Sequence, residues 1–328
     1  MLTKKIAIII PYFGKLNSKG YFQKFLNSCK KNPEVEWLLY INDEDEYDYP
    51  SNVHVTICSF EDIVKRVQAV YDFEITLTNP YKLCDFKPAY GEIFYNDIRD
   101  YDWWGFSDID LLWGNISHFI DDNLLESYEQ LYSRGHLTLM RNTMMMRTLY
   151  RDLNGRKMYE NIFSDSKHYA FDELHIDGGY REIVRLQEVK VYDELDFADI
   201  SKDNRYNPFC FELAQVELKC AERKKSFSVF KNTKETLERV WYYQGQKNKS
   251  EHLYIHMQKR FIKDCCPLNH DNYYIVPNRI ISSDAELTRK GQVFCQISLS
   301  NLAWGGKMQI NKFKKKVSNR LKLYAKAK

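Results

Sequence analysis

Two aspartates separated by one residue stand in a strongly apolar part of the sequence. The segment YDWWGFSDIDLLWG, residues 101–114, places Asp108 and Asp110 among aromatic and aliphatic side chains. Two carboxylates held close together repel each other, and this cost falls when a divalent cation lies beside them. Carboxylate oxygens suit Mn²⁺ or Mg²⁺, which take phosphate oxygens as further ligands. The spacing predicts a metal site that holds a nucleotide diphosphate; the alternative is a solvated turn in which the aspartates cap a following helix.

The elements around this segment predict where the two carboxylates lie. KKIAIIIPYFGK and VEWLLYINDEDEYDYP have the pattern of buried strands that run into loops, and SKGYFQKFLNSCKKNP between them has helical spacing. NVHVTICSF alternates like a third strand, and residues 61–100 are predicted to be mostly helical. This order indicates an α/β sheet whose ligands bind beyond the carboxyl ends of its strands. A strand ending in Ser-Asp-Ile-Asp would put both aspartates on one face there, with Ile109 toward the core.

Composition and charge limit the classes of function. The 328 residues are 44% hydrophobic, enough for one large α/β domain or two smaller ones. Residues 307–328 hold nine Lys and Arg and no acid, which leaves 39 bases against 45 acids in residues 1–306. Because the body is mildly acidic and carries no zinc-finger, helix-turn-helix or RNP-like pattern, we expect no nucleic-acid partner.

Cysteine usage and the first residues predict the compartment. The eight cysteines form no C-x-x-C pair or other zinc spacing, which favours a reducing environment. The apolar run in MLTKKIAIIIPYFGK is too short for the hydrophobic region of a signal peptide, and no later segment reaches membrane-spanning length. These features predict a cytoplasmic protein.

The basic tail, residues 307–328, has apolar residues at intervals of three or four. They are Ile310, Phe313, Val317, Leu321 and Tyr324. A basic helix with one apolar stripe is typical of peripheral contact with an anionic membrane, here the inner face of the cell membrane. The alternatives are a disordered basic tail or a helix packed on the domain.

Four segments together resemble a known family. KIAIIIPYFG, YINDED, CDFKPAYGEIF and WWGFSDIDLLWG are similar to the successive nucleotide-sugar landmarks of GT-A-type glycosyltransferases, especially bacterial enzymes of capsule and O-antigen biosynthesis. The resemblance covers roughly residues 1–260 and becomes thin after the D-x-D segment. It implies a GT-A-like (Rossmann-like), mostly parallel mixed sheet flanked by helices, with a C-terminal helical and basic extension. The implied domains are a catalytic domain at 1–265, with a nucleotide-sugar half at 1–115 and an acceptor half at 116–265, then an extension at 266–306 and the tail at 307–328.

The resemblance also implies roles for residues on the donor side. Pro11, Tyr12 and Phe13 would contact the nucleoside, with an aromatic face available for the base. Asp43 would accept hydrogen bonds from uracil or ribose. The alternative is that Asp43 is simply a solvated residue of an acidic loop. Asp85 and Lys87 would form a polar pair near the nucleotide sugar, and Lys87 would neutralise a phosphate.

On the acceptor side, the segment HYAFDELHIDGGY contains Asp172 and Glu173 next to paired glycines. In inverting members of the fold, an acid in this region deprotonates the acceptor hydroxyl, so the resemblance makes Asp172 or Glu173 the general base. The alternative is that both acids lie at a helix N-terminus for dipole reasons alone. The preceding GHLTLMRN, residues 135–142, is predicted to be a strand.

The segment EHLYIHMQKRF supplies the last candidates. GT-A enzymes take a third metal ligand from a histidine near the end of the catalytic domain, and His256 matches that pattern. Lys259 and Arg260 would then lie close to the diphosphate and stabilise the departing charge. The alternative is an ordinary core or surface histidine. His252 and His256 would share a side on a strand or a helix, so their spacing does not decide the element.

These features together predict a metal-dependent glycosyltransferase. It would move a sugar from a nucleotide-sugar, a UDP-sugar in the first instance, to a glycan or lipid-linked acceptor in bacterial surface polysaccharide biosynthesis. Inversion is favoured over retention because Asp172 and Glu173 offer a base. The alternative is a non-catalytic nucleotide- or glycan-binding protein with a GT-A-like fold. A metal-dependent nucleotidyltransferase or hydrolase has less support, since the sequence has no P-loop, Gly-rich phosphate loop or H-E-x-x-H.

Overall fold

The chain divides into two compact units. In the computed structural model the first unit contains Met1–Asn17 and Phe22–Leu195, and the second contains Ser18–Tyr21 and Asp196–Lys328. The structure describes residues 2–151, 158–173, 178–201, 211, 213–214, 228–243, 246–267, 270–277 and 279–282. The predicted tail at 307–328 and most of the predicted extension at 266–306 lie outside these ranges. The predicted functional halves at 1–115 and 116–265 stay predictions.

The first unit is built on a mixed β-sheet of seven strands. Its strand order is β3-β2-β1-β4-β7-β6-β8. The strands of this unit are β1 (Ile6–Tyr12), β2 (Val35–Ile41), β3 (Val53–Ile57), β4 (Trp103–Ser107), β5 (Leu111–Trp113, outside this sheet), β6 (Gln130–Arg134), β7 (Leu137–Arg141) and β8 (Val191–Tyr192). Strands β3, β2, β1 and β4 are parallel neighbours, β7 runs antiparallel to β4 and β6, and β8 is parallel to β6. Four of the six pairings are therefore parallel.

Helices flank this sheet and share its core. They are α1 (Phe22–Lys30), α2 (Phe60–Gln68), α3 (Leu83–Phe86), α4 (Tyr90–Ile93), α5 (Tyr95–Ile98), α6 (Asp122–Ser127), α7 (Met144–Thr148), α8 (Met158–Phe163) and α9 (Tyr180–Leu186). Short 3₁₀ turns lie at Leu16–Lys19, Pro80–Lys82, Lys87–Ala89, Ile116–His118 and Leu149–Arg151. One apolar cluster joins strand residues such as Ile9 and Phe106 to helix residues such as Ile63, Tyr90 and Phe163. The predicted α/β class, with a mixed and mostly parallel sheet flanked by helices, is confirmed.

The chain changes direction across the sheet between β1 and β4. From β1 it steps to β2 and β3 on one side, and it then returns to β4 on the other side of β1. The carboxyl ends of β1 and β4 therefore lie side by side, with Ile9 opposite Phe106 in parallel register. In open α/β sheets, ligands bind in the crevice at such a switch point.

The strand predicted to carry both aspartates ends earlier than expected. β4 stops at Ser107, Asp108 to Asp110 form a bend, and β5 begins at Leu111. Ile109 is only half-buried, so its predicted place in the core is wrong. The helix-capping alternative is also wrong, because a strand and not a helix follows the aspartates. The backbone N–H of Asp108 donates to the carbonyl of His136 at 3.1 Å, which holds the bend against the β6–β7 turn.

Residues 61–100 are less helical than predicted. A non-helical segment, residues 69–79, separates α2 from the short helices α3 to α5. Its backbone bonds to other parts of the chain, since Ile75 N–H donates to Gln68 Oε1 and Thr76 N–H donates to the Phe163 carbonyl. These tertiary partners replace the hydrogen bonds of a continuous helix.

The described residues of the second unit from residue 196 onward are mainly in β-strands. A six-stranded sheet has the order β12-β11-β10-β15-β16-β14, and β9 pairs in parallel with β13. The strands are β9 (Ala198–Asp199), β10 (Ser228–Asn232), β11 (Leu237–Tyr243), β12 (Gln246–Glu251), β13 (Tyr254–His256), β14 (Lys263–Asp264), β15 (Tyr273–Val276) and β16 (Arg279–Ser282). Val229, Val240, Tyr274 and Val276 form a small core in the six-stranded sheet. Within the described ranges of both units, no helix has the length and apolar character needed to cross a bilayer.

Candidate functional site

The paired aspartates lie at the carboxyl end of β4, beside the end of β1. Carboxylate oxygens of Asp108 and Asp110 come within 4.8 Å of each other. The Asp110 side chain is buried, whereas Asp108 is partly exposed. Two carboxylates at this separation can act as ligands of one hard cation such as Mg²⁺ or Mn²⁺.

Lys87 connects Asp108 to the rest of the site. Its ammonium group donates to Asp108 Oδ1 at 2.7 Å and to the Gly135 carbonyl at 2.6 Å, and it lies 3.6 Å from Asp172 Oδ2. Burial alone would lower the pKa of Lys87, but the charge of Asp108 together with nearby Cys84 and Asp172 keeps that pKa well above its usual value. Lys87 is therefore a permanent buried cation between two acids.

Asp172 is the strongly perturbed acid of this group. Burial raises the pKa of Asp172 to about 7; the charge of Lys87 opposes this rise, while Glu173, Asp108 and Asp85 add to it. A carboxyl group with a pKa near neutrality can hold and release a proton under physiological conditions, as a general base must. Glu173 is exposed, so of the two candidate bases Asp172 alone combines burial with a neighbouring cation.

Asp172 and Glu173 lie in a turn and not at the N-terminus of the helix that follows. Helix α9 begins at Tyr180 behind Gly179, so neither acid caps it. His175 and Asp177 of the same cluster lie outside the described residues.

Gly135 fits closely against the two acids, and sequence reasoning did not identify it as a site residue. A Cβ atom at Gly135 would lie 2.5 Å from Glu173 Oε1 and 2.7 Å from Asp172 Oδ2. Its carbonyl also accepts the hydrogen bond from Lys87. The Gly-His pair at the start of the predicted strand 135–142 was the available signal, because glycine allows the backbone to approach a side chain closely.

Asp85, predicted to pair with Lys87 near the donor, faces a different segment. Its fully buried carboxylate accepts the backbone N–H groups of Tyr169 and Phe171 and a 2.8 Å hydrogen bond from Lys82 Nζ. Between these two N–H groups, Ala170 has φ +54°, an unusual conformation for a residue with a side chain. Asp85 therefore fixes the backbone that leads directly into Asp172, a positioning role.

Replacing Asp85 with Asn is expected to lower the free energy of unfolding by about 3 kcal/mol. The substitution keeps the shape but leaves the buried ammonium of Lys82 without its carboxylate partner. Urea unfolding followed by circular dichroism measures the change. Glu126→Gln, which neutralises an exposed carboxylate of the same unit, is the control and should change little. An Asp85→Asn protein as stable as the parent would refute the positioning role.

Hydrogen bonds join the loop after β1 to the loop after β2. Asp43 is buried and accepts hydrogen bonds from Lys15 Nζ and the Leu16 backbone N–H, both at 2.8 Å. Burial alone would raise the pKa of Asp43, but these bonds hold the pKa below its usual value. Gly14 N–H also donates to Asn42 Oδ1 at 2.8 Å. The solvation alternative for Asp43 is therefore wrong, and its carboxylate orders the loop in which a nucleoside contact was predicted.

The predicted nucleoside residues lie at the end of β1. Pro11 and Tyr12 are the last residues of the strand, and Phe13 follows it. All three are half-buried, and the Phe13 ring packs edge-on against Phe60 at 5.4 Å between centroids. They share the sheet edge with Asp108 and Asp110, as the strand pattern predicted.

The predicted histidine ligand belongs to the second unit. His256 is buried at the end of β13, and its Nδ1 lies 2.9 Å from Asp199 Oδ1. Gln258 Nε2 donates to the same Asp199 oxygen at 2.7 Å. A carboxylate on one ring nitrogen is the usual way in which proteins orient a metal-binding imidazole. Neither Asp199 nor Gln258 was identified from sequence.

The other residues of that segment have different environments. Lys259 is exposed and has φ +59°, and Arg260 is buried with its guanidinium 5.0 Å from the Phe211 ring centre. Burial, reinforced by the nearby charge of Arg239, lowers the pKa of His252 to about 4, so that imidazole is neutral at physiological pH. The proposed contacts of His256, Lys259 and Arg260 with a metal and a diphosphate stay predictions.

The first unit thus brings five predicted residues into one group. They are Lys87, Asp108, Asp110, Asp172 and Glu173. Asp43 and Asp85 instead hold the loops around this group. Oxygen ligands, a buried cation and an acid that titrates near neutrality are the parts needed to bind a phosphorylated substrate and move a proton.

Fold and site define an α/β protein with a carboxylate pair at the switch point of a mixed sheet. The chain belongs to the family described as "Family of unknown function (DUF6625)", which matches residues 8–284. This range includes every residue of the site described above. A search of the curated proteins gave no match.

Proposed function

We propose that this protein is a metal-dependent glycosyltransferase that moves a sugar from a nucleotide-sugar, first of all a UDP-sugar, to a glycan or lipid-linked acceptor. The observation that carries the proposal is the position of Asp108 and Asp110 directly after β4, at the switch point of the sheet, with Lys87 bonded to Asp108. Nucleotides bind at this position in open α/β sheets, and a paired carboxylate with a lysine suits a diphosphate.

The donor half of the proposal rests on the carboxylates and the lysine. Asp108 and Asp110 are the proposed ligands of Mn²⁺ or Mg²⁺, and a bound ion would neutralise the diphosphate as it leaves. Lys87 is charged throughout the physiological pH range and lies against Asp108, where it can bind a phosphate oxygen. Pro11, Tyr12 and Phe13 at the end of β1 are the proposed nucleoside contacts.

The acceptor half rests on Asp172. Its pKa of about 7 means that a large fraction is deprotonated at neutral pH and able to take the proton of an attacking hydroxyl. The arrangement favours inversion, in which the base acts on the acceptor while Lys87 stays on the donor side. Asp172 is preferred to Glu173 because it alone is buried beside Lys87.

The GT-A assignment and the cellular role are parts of the same proposal. They are supported by the resemblance of residues 1–260 to bacterial capsule and O-antigen enzymes and by the mixed sheet of the first unit. His256 is the proposed third metal ligand, supported by the carboxylate of Asp199 on its Nδ1. Lys259 is the proposed contact of the departing diphosphate. The tail at 307–328 is proposed to hold the enzyme on an anionic membrane surface.

A donor screen tests this proposal. The full chain is titrated with UDP-, GDP- and CMP-sugars, each with Mn²⁺ and with EDTA, by isothermal titration calorimetry. We expect one nucleotide class to bind about tenfold or more tightly with Mn²⁺, because the metal joins the diphosphate to the two carboxylates.

Two outcomes of the screen would contradict the proposal. Failure of every donor to bind in the presence of Mn²⁺ would remove the nucleotide-sugar function. Metal-dependent donor binding with neither hydrolysis of the donor nor transfer of its sugar to any glycan acceptor would instead support the non-catalytic binding protein.

A further inference from the structure

Lys87 already holds one of the two carboxylates that are proposed as metal ligands. Its ammonium group donates to Asp108 Oδ1 at 2.7 Å and to the Gly135 carbonyl at 2.6 Å. The Lys87 side chain is 8% exposed and the Asp108 side chain is 31% exposed, so a dissolved ion reaches the carboxylate more easily than the lysine. A divalent cation that binds Asp108 therefore meets a positive charge fixed on the same carboxylate.

The charge of Lys87 opposes the binding of a divalent cation by the aspartate pair. A carboxylate oxygen of Asp108 lies within 4.8 Å of one of Asp110, so an ion held by both would share Asp108 with the ammonium group of Lys87. Two cations on one carboxylate repel each other, and salt screens this repulsion only weakly at a buried group. Lys87 should therefore lower the affinity of the aspartate pair for Mn²⁺ or Mg²⁺ alone.

Lys87 in turn needs a hydrogen-bonded anion, because it is buried. Its other contacts among the described residues are the Gly135 carbonyl, the Phe106 ring centre at 5.6 Å and Asp172 Oδ2 at 3.6 Å. The distance to Asp172 is too long for a hydrogen bond. A buried ammonium group that loses its anionic partner is costly. Asp108 therefore cannot exchange Lys87 for a metal ion without cost unless another anion takes the place of Asp108.

A diphosphate that arrives with the metal ion removes both costs. Its negative charge offsets the repulsion between the two cations, and one of its oxygens can accept the hydrogen bond that Lys87 gives up at Asp108. Lysine binds phosphates in this way, as a compact point charge. Lys87 keeps its proton throughout, since only the acceptor changes from Asp108 Oδ1 to a phosphate oxygen.

We propose that Lys87 makes the aspartate pair selective for a divalent cation that is bound to a diphosphate, and against the ion alone. Without substrate, Lys87 neutralises Asp108. With substrate, Lys87 binds the diphosphate and leaves Asp108 to the metal ion. This inference rests on the proposed function for the metal site at Asp108 and Asp110, but it depends on neither the sugar nor the acceptor.

A metal titration without any substrate tests the first half of the inference. The full chain and its Lys87→Met variant are titrated with Mn²⁺ by isothermal titration calorimetry, and electron paramagnetic resonance counts the free ion. We expect Lys87→Met to bind Mn²⁺ about tenfold more tightly than the parent, because the opposing charge is gone and Asp108 is released. A lysine that only supports the fold would give unchanged or weaker Mn²⁺ binding when it is replaced.

A titration with an equimolar manganese–pyrophosphate complex tests the second half. Pyrophosphate supplies the diphosphate without a nucleoside or a sugar, so the result does not depend on the identity of the donor. We expect the parent to bind this complex about tenfold or more tightly than Mn²⁺ alone, and Lys87→Met to bind the complex about tenfold more weakly than the parent. One substitution should thus strengthen binding of the ion and weaken binding of the complex.

Two further variants make the test specific. Lys87→Gln keeps a hydrogen-bond donor for the Gly135 carbonyl but carries no charge, so it should reproduce both effects of Lys87→Met. Lys65→Met removes a lysine of α2 whose side chain is 79% exposed, and it should bind both probes like the parent. Circular dichroism confirms that each variant is folded. If neither Lys87 variant folds, the parent decides: a tenfold preference for the complex supports the inference, and equal affinity for the ion and the complex overturns it.

Failure of this inference is distinct from failure of the proposed function. Folded Lys87 variants that bind Mn²⁺ no more tightly than the parent, or that bind the complex as tightly as the parent, would overturn the role of Lys87 even where a nucleotide-sugar binds and its sugar is transferred. Failure of the parent to bind the complex would overturn it as well. If both effects of Lys87→Met are found and no nucleotide-sugar binds, the role of Lys87 stands and the glycosyltransferase proposal falls.

Discussion

Replacing Asp110 with Asn is expected to lower sugar transfer by about three orders of magnitude and to abolish the effect of Mn²⁺ on donor binding. The lost carboxylate would remove a metal ligand and with it several kcal/mol of charge stabilisation in the transition state. Asp110 gives a cleaner test than Asp108, because Asp108 also neutralises Lys87. Removing Asp108 would therefore disturb a buried cation as well as the metal site.

The Asp110 variant should keep its fold in the absence of metal. Its carboxylate lies within 4.8 Å of Asp108, so its removal relieves repulsion between the two acids. The measurements are transfer of radiolabelled sugar, donor titration with Mn²⁺ or EDTA, and thermal unfolding. Asp100→Asn, at a side chain that is 85% exposed, is the matched control and should behave like the parent. Transfer by Asp110→Asn at the parent rate would exclude the aspartate pair as the metal site.

Replacing Asp172 with Asn is expected to lower turnover by about two to four orders of magnitude with little change in donor affinity. This pattern follows when a group acts on the acceptor proton and not on the donor. Glu173→Gln is the matched control, because Glu173 is the adjacent acid but is exposed. Turnover that falls in Glu173→Gln and not in Asp172→Asn would transfer the role of base to Glu173. Unchanged turnover in both would favour a retaining mechanism or a base elsewhere.

The pH dependence gives a second test of Asp172. Since the pKa of Asp172 is about 7 and the base form is deprotonated, turnover of the parent should rise with pH through about 7. Asp172→Asn should lack this rise. A parent profile that is flat between pH 6 and 8 would argue against Asp172 as the base.

The folding stability of the parent protein should also depend on protonation of Asp172, but stability should fall with rising pH where turnover rises. Folding raises the pKa of Asp172 from its ordinary value of 3.8 to about 7. The stabilising contribution of its protonated form is therefore complete below pH 3.8 and is lost as pH rises through about 7. Asp172→Asn, which needs no proton to stay neutral, should therefore gain stability over the parent between pH 5 and pH 8. Urea unfolding at the two pH values measures this, and it also shows that lost turnover is not lost folding.

Local patterns in the sequence determined the elements that meet at the site. The apolar run of β1, the alternation of β3 and the aromatic run of β4 each specify a strand through neighbouring residues alone. The position of Asp108 and Asp110 at the end of a strand followed from the same reasoning. One sequence is enough to predict these strands, because burial and the two-residue alternation of a strand are set by a few neighbouring residues.

The tertiary structure decided three features of the site. They are the β4–β7 pairing, the group around Lys87 and the raised pKa of Asp172. No local pattern places β7 antiparallel beside β4, yet that pairing brings the β6–β7 turn with Gly135 to the site. Lys87 meets Asp108 and Gly135 across 21 and 48 residues of chain, a distance over which spacing carries no information.

The two charged residues of the segment CDFKP also show what the local sequence determines and what the tertiary structure decides. Asp85 and Lys87 are two residues apart, and both are buried. In consecutive short helical turns their side chains point to different partners: Asp85 to the backbone at 169–171, and Lys87 to Asp108. The sequence determined that charged groups would stand here, because their types and spacing are local properties. Only the tertiary structure decided which group faces the site and which holds it in place, and it alone raises the pKa of Asp172, because burial and charge proximity are properties of the folded chain.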